Sequence, residues 1–227
     1  MSPQNSAGLI RVGIWALPIA GLLSLVGSLV DLSIPDPGND PTGAAQAAST
    51  TGHFLSQFVG NVLAVTLAIF GVLALFAYLV NTRGGRLATL GMVLNVLGLC
   101  LILSFLGVIT YAIPALSQEY VNGQQDAFQM TDALFSGRLF TIIILSGLLQ
   151  FVGFVLLGVA IWRSETLPKW AGALLGVAGL LLAVPADIPF LNVVASVLLV
   201  IAGVGIALSV LRGPSAPVGA EAQPRVR

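Results

Sequence analysis

Long apolar stretches alternate with polar intervals along this chain, at about residues 12–31, 54–80, 87–113, 139–162, 170–184 and 190–211. An α-helix rises 1.5 Å per residue, so about 20 apolar residues cross a hydrocarbon core roughly 30 Å thick. The pattern predicts an all-α fold, a polytopic transmembrane bundle of six helices filling residues 12–211. The fifth stretch is the short one. About 15 residues cover only about 22 Å, so Pro185, Asp187 and Pro189 behind it are expected to dip below the membrane surface. The first stretch follows Arg11 and precedes Ala45, Gln46 and Ala47, a layout shared with cleaved signal peptides. It exceeds the roughly 7–15 residues of a signal core, so it is read as a retained helix.

The polar intervals read as connections. Residues 32–52 are rich in proline, glycine, serine and alanine, with Asp36 and Asp40 but no cation, as in an irregular loop. The turn from Asn81 to Arg86 is too short, and wrongly spaced, to cradle a phosphate. Pro114 is expected to stop the third helix, because proline disfavours helical geometry in the residue before it. In the long polar segment 115–138, Ala127, Phe128, Thr131, Leu134 and Phe135 fall at helical spacing; they fit an amphipathic surface helix or an ordinary loop. Residues 1–11 are left as an N-terminal tail, and 212–227 as a disordered tail rich in proline and alanine.

Small and polar residues gather on one face of each apolar stretch. At 100° per residue these faces are Ala16, Ala20, Ser24, Gly27 and Asp31; Gly60, Ala64, Ala68 and Gly71; and Gly91, Asn95 and Gly98. The later helices give Ser146, Gly147, Gln150 and Gly153; Gly172, Gly176, Gly179 and Ala183; and Asn192, Ser196 and Gly203. Lipid supplies no hydrophobic force between helices, so close backbone approach and interhelical hydrogen bonds must hold them together. The faces should point inward. Gly91 and Gly98 after Arg86 repeat the step of Gly172 and Gly179 after Lys169, a faint sign that two hairpins are related.

Composition agrees and adds exclusions. Apolar residues make up 57% and charged residues 8%, with a mean hydropathy of +1.00, where a soluble domain has roughly a quarter charged. Nine basic and nine acidic side chains cancel, leaving no field to recruit nucleic acid. Cys100 stands alone, which excludes an intrachain disulfide and a paired-cysteine metal site. The excess of arginine over lysine, with abundant alanine, glycine, valine and leucine, suggests a GC-rich bacterial genome and hence a bacterial plasma membrane. Arg11, Arg83, Arg86, Arg163, Lys169, Arg212, Arg225 and Arg227 fall on one side of the six-helix arrangement, against Arg138 alone on the other. Positive residues favour the cytoplasm, so both termini are expected there.

Candidate chemistry is sparse. Gln150 lies near mid-membrane, and Asn61 and Asn95 about two turns inside their helices. Such amides serve as interhelical glue or mark a site. No charged residue lies deep in a stretch, unlike the buried carboxylate of many ion-coupled pumps or the lysine of a retinal protein. His53 is the single histidine, so neither bis-histidine haem nor a histidine-rich metal site can form within one chain, and no cofactor or metal is expected. Asp31, His53, Arg138, Asp187 and Asn192 all stand at outer helix ends. In one bundle they would converge on a polar vestibule, with Arg138 pairing Asp31 or Asp187. The same positions also suit helix capping, for instance Asp187 near the start of the sixth helix, where the dipole favours an anion.

The hairpin from Val159 to Leu182 carries Trp162 and Arg163, then Leu167, Pro168, Lys169, Trp170, Ala171 and Gly172. Together with Tyr111 to Leu116 it resembles uncharacterised bacterial integral membrane proteins of domain-of-unknown-function families. The resemblance implies a helical bundle and no activity. The expected role is a non-enzymatic accessory or lipid- or partner-binding bundle, its partner a membrane protein or a second copy of the chain; the alternative is a small solute or ion transporter or channel. A water-filled path lined by Gln150, Asn61 and Asn95 would favour transport, and a dry closed core would favour binding. An enzyme acting on lipid lacks a nucleophile and base pair.

Overall fold

The computed structural model describes residues 3–36, 38–124, 126–127, 138–183 and 189–212, and these are helical without a strand. Helix α1 (Pro3–Ile14) leads into α2 (Ala16–Asp31), α3 is Pro41–Ala48, and α4 (Thr51–Gln57) runs through a π-helical segment, Phe58–Leu63, into α5 (Ala64–Leu79). Helix α6 (Gly85–Gly107) passes through a second π segment, Val108–Ala112, into α7 (Ile113–Val121). Helices α8 (Arg138–Ser164), α9 (Lys169–Ala183) and α10 (Pro189–Arg212) complete the fold.

Five helices are long and apolar enough to cross a membrane: Gly8–Asp31, Thr51–Leu79, Gly85–Val121, Leu139–Ser164 and Phe190–Arg212. Helix α9, with 15 residues, is apolar but shorter. The principal helices pack in chain order, α2 on α5, α5 on α6, α6 on α8, α8 on α9 and α9 on α10, and α10 returns to α2. The result is a closed ring. Its outer surface exposes leucine, valine and isoleucine, among them Leu22, Leu90, Leu97, Leu148, Val177 and Ile201. So large an apolar surface requires lipid rather than water.

Glycines set the spacing. A Cβ added to Gly60 would stand 2.5 Å from the Gly27 Cα, and one on Gly153 would stand 2.7 Å from the Asn95 nitrogen. Gly91 and Gly98 of α6 meet Leu157 and Gln150 of α8, while Gly172 and Gly179 of α9 meet Ile161 and Phe154 on its other side. The expected small faces therefore do turn inward. Gly176 is the exception, half-buried with nothing closer than 3.9 Å.

Several expectations change. The first helix begins at Pro3, not residue 12, with a break at Trp15. Pro18 has no N–H for the Ile14 carbonyl, which loosens the turn there. The segment 32–52 is not wholly irregular: Asp40 caps α3 by accepting from the Gly43 N–H at 2.8 Å, and Pro41 takes the first helical position. Pro114 does not stop the third helix. The preceding π segment widens the turn, and Pro114 enters the first turn of α7, where a missing N–H costs little. Phe128, Thr131, Leu134, Phe135, Asp187 and the tail from 213 lie outside the described residues.

Trp15, Trp162 and Trp170 sit toward the end of the bundle where α10 finishes, beside the turns at Arg83 and Glu165. There the Lys169 ammonium lies 5.8 Å from the Trp162 ring centre, and Arg83 meets Glu165 at 3.4 Å in an exposed ion pair. This is called the termini end. The opposite end, carrying α3, α4 and α7, is called the loop end.

Candidate functional site

The loop-end half of the ring is hollow. A cavity of about 310 Å³ is lined by residues from α2, α4, α5, α6, α8, α9, α10 and both π segments. On α2 its wall runs from Asp31 to Ala20, and on α8 from Ile143 to Phe154, each about 16 Å at 1.5 Å per residue. It thus reaches about halfway through a 30 Å hydrocarbon layer. Beneath it the ring is filled. Leu17, Val72, Leu75, Leu157, Leu175 and Ile206 are all fully buried, so the cavity has a packed apolar floor.

The polar wall is a hydrogen-bonded relay. The Gln57 Nε2 donates to the Asp31 Oδ1 at 2.7 Å, and the Asn61 Nδ2 donates to the Gln57 Oε1 at 2.5 Å. Asn61 stands in the first π segment, whose extra residue per turn changes which side chains follow Gln57. Gly27 packing on Gly60 pulls α2 against that segment and brings Asp31 within reach of Gln57. Nearby, the Ser24 Oγ lies 3.0 Å from the Ser196 Oγ, closing the ring between α2 and α10.

Below the relay the wall is largely apolar, with Leu99, Ile102, Phe105, Leu106 and Leu199 beside Ser24 and Gln150.

The structure sorts the sequence candidates. Asp31, Asn61, Gln150 and Asn192 line the cavity together. His53 does not; it is buried in the first turn of α4, its backbone N–H capped by the Thr50 hydroxyl at 3.1 Å and its Nδ1 without a partner among the described residues. Asn95 does not either. It is fully buried between α6 and α8, where its Nδ2 reaches the Gln150 carbonyl at 3.4 Å and the Gln150 Nε2 reaches the Gly98 carbonyl at 3.5 Å. The helix containing Arg138 begins at that residue, but its side chain, like Asp187, lies outside the description. Sequence reasoning missed Gln57, the centre of the relay. The signal was present: Gln57 stands at i, with Asn61 at i+4 and Ala64 at i+7, on the small-residue face of its helix.

No group of histidine, cysteine, aspartate and glutamate capable of holding a metal ion occurs among the described residues. Cys100 is exposed on the outside of the ring.

A ring of apolar helices with a lipid-facing exterior and a half-depth internal cavity defines a membrane-embedded helical bundle. The chain belongs to the family described as Domain of unknown function (DUF4386), which matches residues 7–218. No curated protein and no solved structure matches it.

Proposed function

We propose that this chain is a six-span protein of the bacterial plasma membrane, with both termini cytoplasmic, and that it acts as a non-enzymatic binding bundle. Its loop-end cavity receives a lipid-like ligand from the membrane or its outer surface. The observation that carries this reading is the blind end. A cavity with a polar relay on one wall stops at a packed layer of Leu17, Val72, Leu75 and Leu157, which offers a ligand a seat and no route through. Its volume lies at the small end of ligand pockets, about 300–1,000 Å³. Helix α9 is included as a span because it packs between α8 and α10 as a full member of the ring. The sidedness follows from the clustering of Lys and Arg at the termini end.

Transport is the second reading, favoured by Asn61 and Gln150 on the cavity wall. Single cysteines in a Cys100→Ser background separate the two. In intact cells an impermeant thiol reagent should label Ser28→Cys and Ala64→Cys, while Leu75→Cys and Leu157→Cys stay unlabelled there and in inverted vesicles. Labelling of the last two from the cytoplasmic side would support an alternating path and sink the blind-pocket reading.

A further inference from the structure

The relay along the cavity wall has a direction, and that direction selects a ligand. An ionised carboxylate can only accept hydrogen bonds, so Asp31 fixes the Gln57 amide with its nitrogen toward Asp31 and its oxygen toward Asn61. That in turn fixes Asn61, with its nitrogen toward Gln57. One N–H of each amide is thereby used within the relay, and each amide keeps its second N–H. The relay's two ends, the second carboxylate oxygen of Asp31 and the Asn61 carbonyl oxygen, are acceptors. Asp31 is also the sole charged side chain among the described lining residues. A carboxylate beside a low-dielectric cavity is costly unless a cation or donor faces it, and it repels an anion. Beneath the relay the wall is largely apolar, with Leu99, Ile102, Phe105, Leu106 and Leu199, and the neutral Ser24 and Gln150 interrupt it above the packed floor.

We infer that the cavity takes a single-tailed amphiphile whose head group donates hydrogen bonds, an alkylammonium before an alcohol, with its tail against the deeper, largely apolar wall. About 310 Å³ in a well about 16 Å deep suits one chain and is too small for a two-chain phospholipid. The inference rests on the binding reading above, and the experiment separates the two. Full-length protein in phosphatidylcholine nanodiscs is titrated with decylamine, decanol and decanoate, and partition into empty nanodiscs is subtracted. Decylamine should bind most tightly and decanoate about tenfold more weakly or worse, since a charged hydrogen bond is involved. Asp31→Asn should weaken decylamine by about tenfold and change decanol by less than about threefold. Ala68→Leu, which fills the floor, should weaken all three.

Equal affinity of the unmodified protein for decylamine and decanoate would overturn the head-group assignment without needing any variant to fold. If the three bind alike and Ala68→Leu weakens them all, the cavity is a binding site but not for this class. If none binds above empty nanodiscs, the binding reading fails as well.

Discussion

Replacing Gly60 by alanine is the sharpest test of how this ring is held together. The new Cβ would stand 2.5 Å from the Gly27 Cα, 2.9 Å from the Gly27 nitrogen and 3.3 Å from the Leu23 carbonyl oxygen, all backbone atoms that cannot rotate away. Ordinary contact begins near 3.4 Å, so α2 and the π segment must separate by about 1 Å. Such overpacking costs about 1–3 kcal/mol, a factor of about 5 to 150 in the folded ratio. Gly176→Ala is the matched contrast. Its nearest neighbours lie at 3.9 Å, and alanine is the better helix former, so it should be neutral or stabilising by up to about 1 kcal/mol. Reversible unfolding in mixed dodecylmaltoside and dodecyl sulfate micelles, followed by helical circular dichroism, gives both differences. Equal stability of Gly60→Ala and the unmodified protein, or equal destabilisation by the two substitutions, would refute the packing argument. Because Gly60 also lines the cavity beside Gln57 and Asn61, Gly60→Ala should in addition weaken ligand binding.

Two further substitutions probe single contacts. Thr50→Ala removes the acceptor of the His53 N–H and should cost about 1 kcal/mol; hydrogen exchange over Thr51–Phe54 should then quicken about fivefold, while unchanged exchange would show that the cap is idle. Gln150→Met keeps the length of the side chain and loses only a 3.5 Å bond to the Gly98 carbonyl, so unfolding in the same micelles should shift by less than about 1 kcal/mol. A loss of several kcal/mol would mean that Gln150 holds α6 to α8 more firmly than its geometry indicates.

Much of the fold was legible in the chain because lipid imposes strong rules. Backbone groups must be paired within each span, so the runs around 54–80 and 139–162 could only be helices, and the observed Thr51–Leu79 and Leu139–Ser164 agree with them to within a few residues. Small residues such as Gly27, Gly98 and Gly153 lie on the packed faces because nothing else lets helix backbones approach closely in lipid. Local rules misled where tertiary contacts overrode them. Pro114 reads as a stop, yet the π segment before it absorbs the proline and the helix goes on to Val121. Asp40 and Pro41 are a helix-start signal inside a stretch whose composition reads as loop.

The candidate site was less legible, for a geometric reason. Depth along a helix can be counted from sequence, which is why Asp31, Asn61, Gln150 and Asn192 were singled out and do share a cavity. Which side of a helix faces a cavity and which faces a neighbour depends on the order of helices around the ring. Asn95 and Gln150 look equivalent as intramembrane amides, but only Gln150 reaches the hollow while Asn95 is sealed between α6 and α8.

By itself, then, the sequence determined an all-helical chain made for lipid, the approximate spans, and the small-residue faces along which they meet, because hydropathy and helical periodicity are local properties. Only the tertiary structure decided that the ring closes from α10 onto α2, that its loop-end half is hollow and its other half packed, and that Gln57 joins Asp31 to Asn61. Those features depend on how the helices share one cross-section, and on π turns that rotate the register of a face, which no window of residues records.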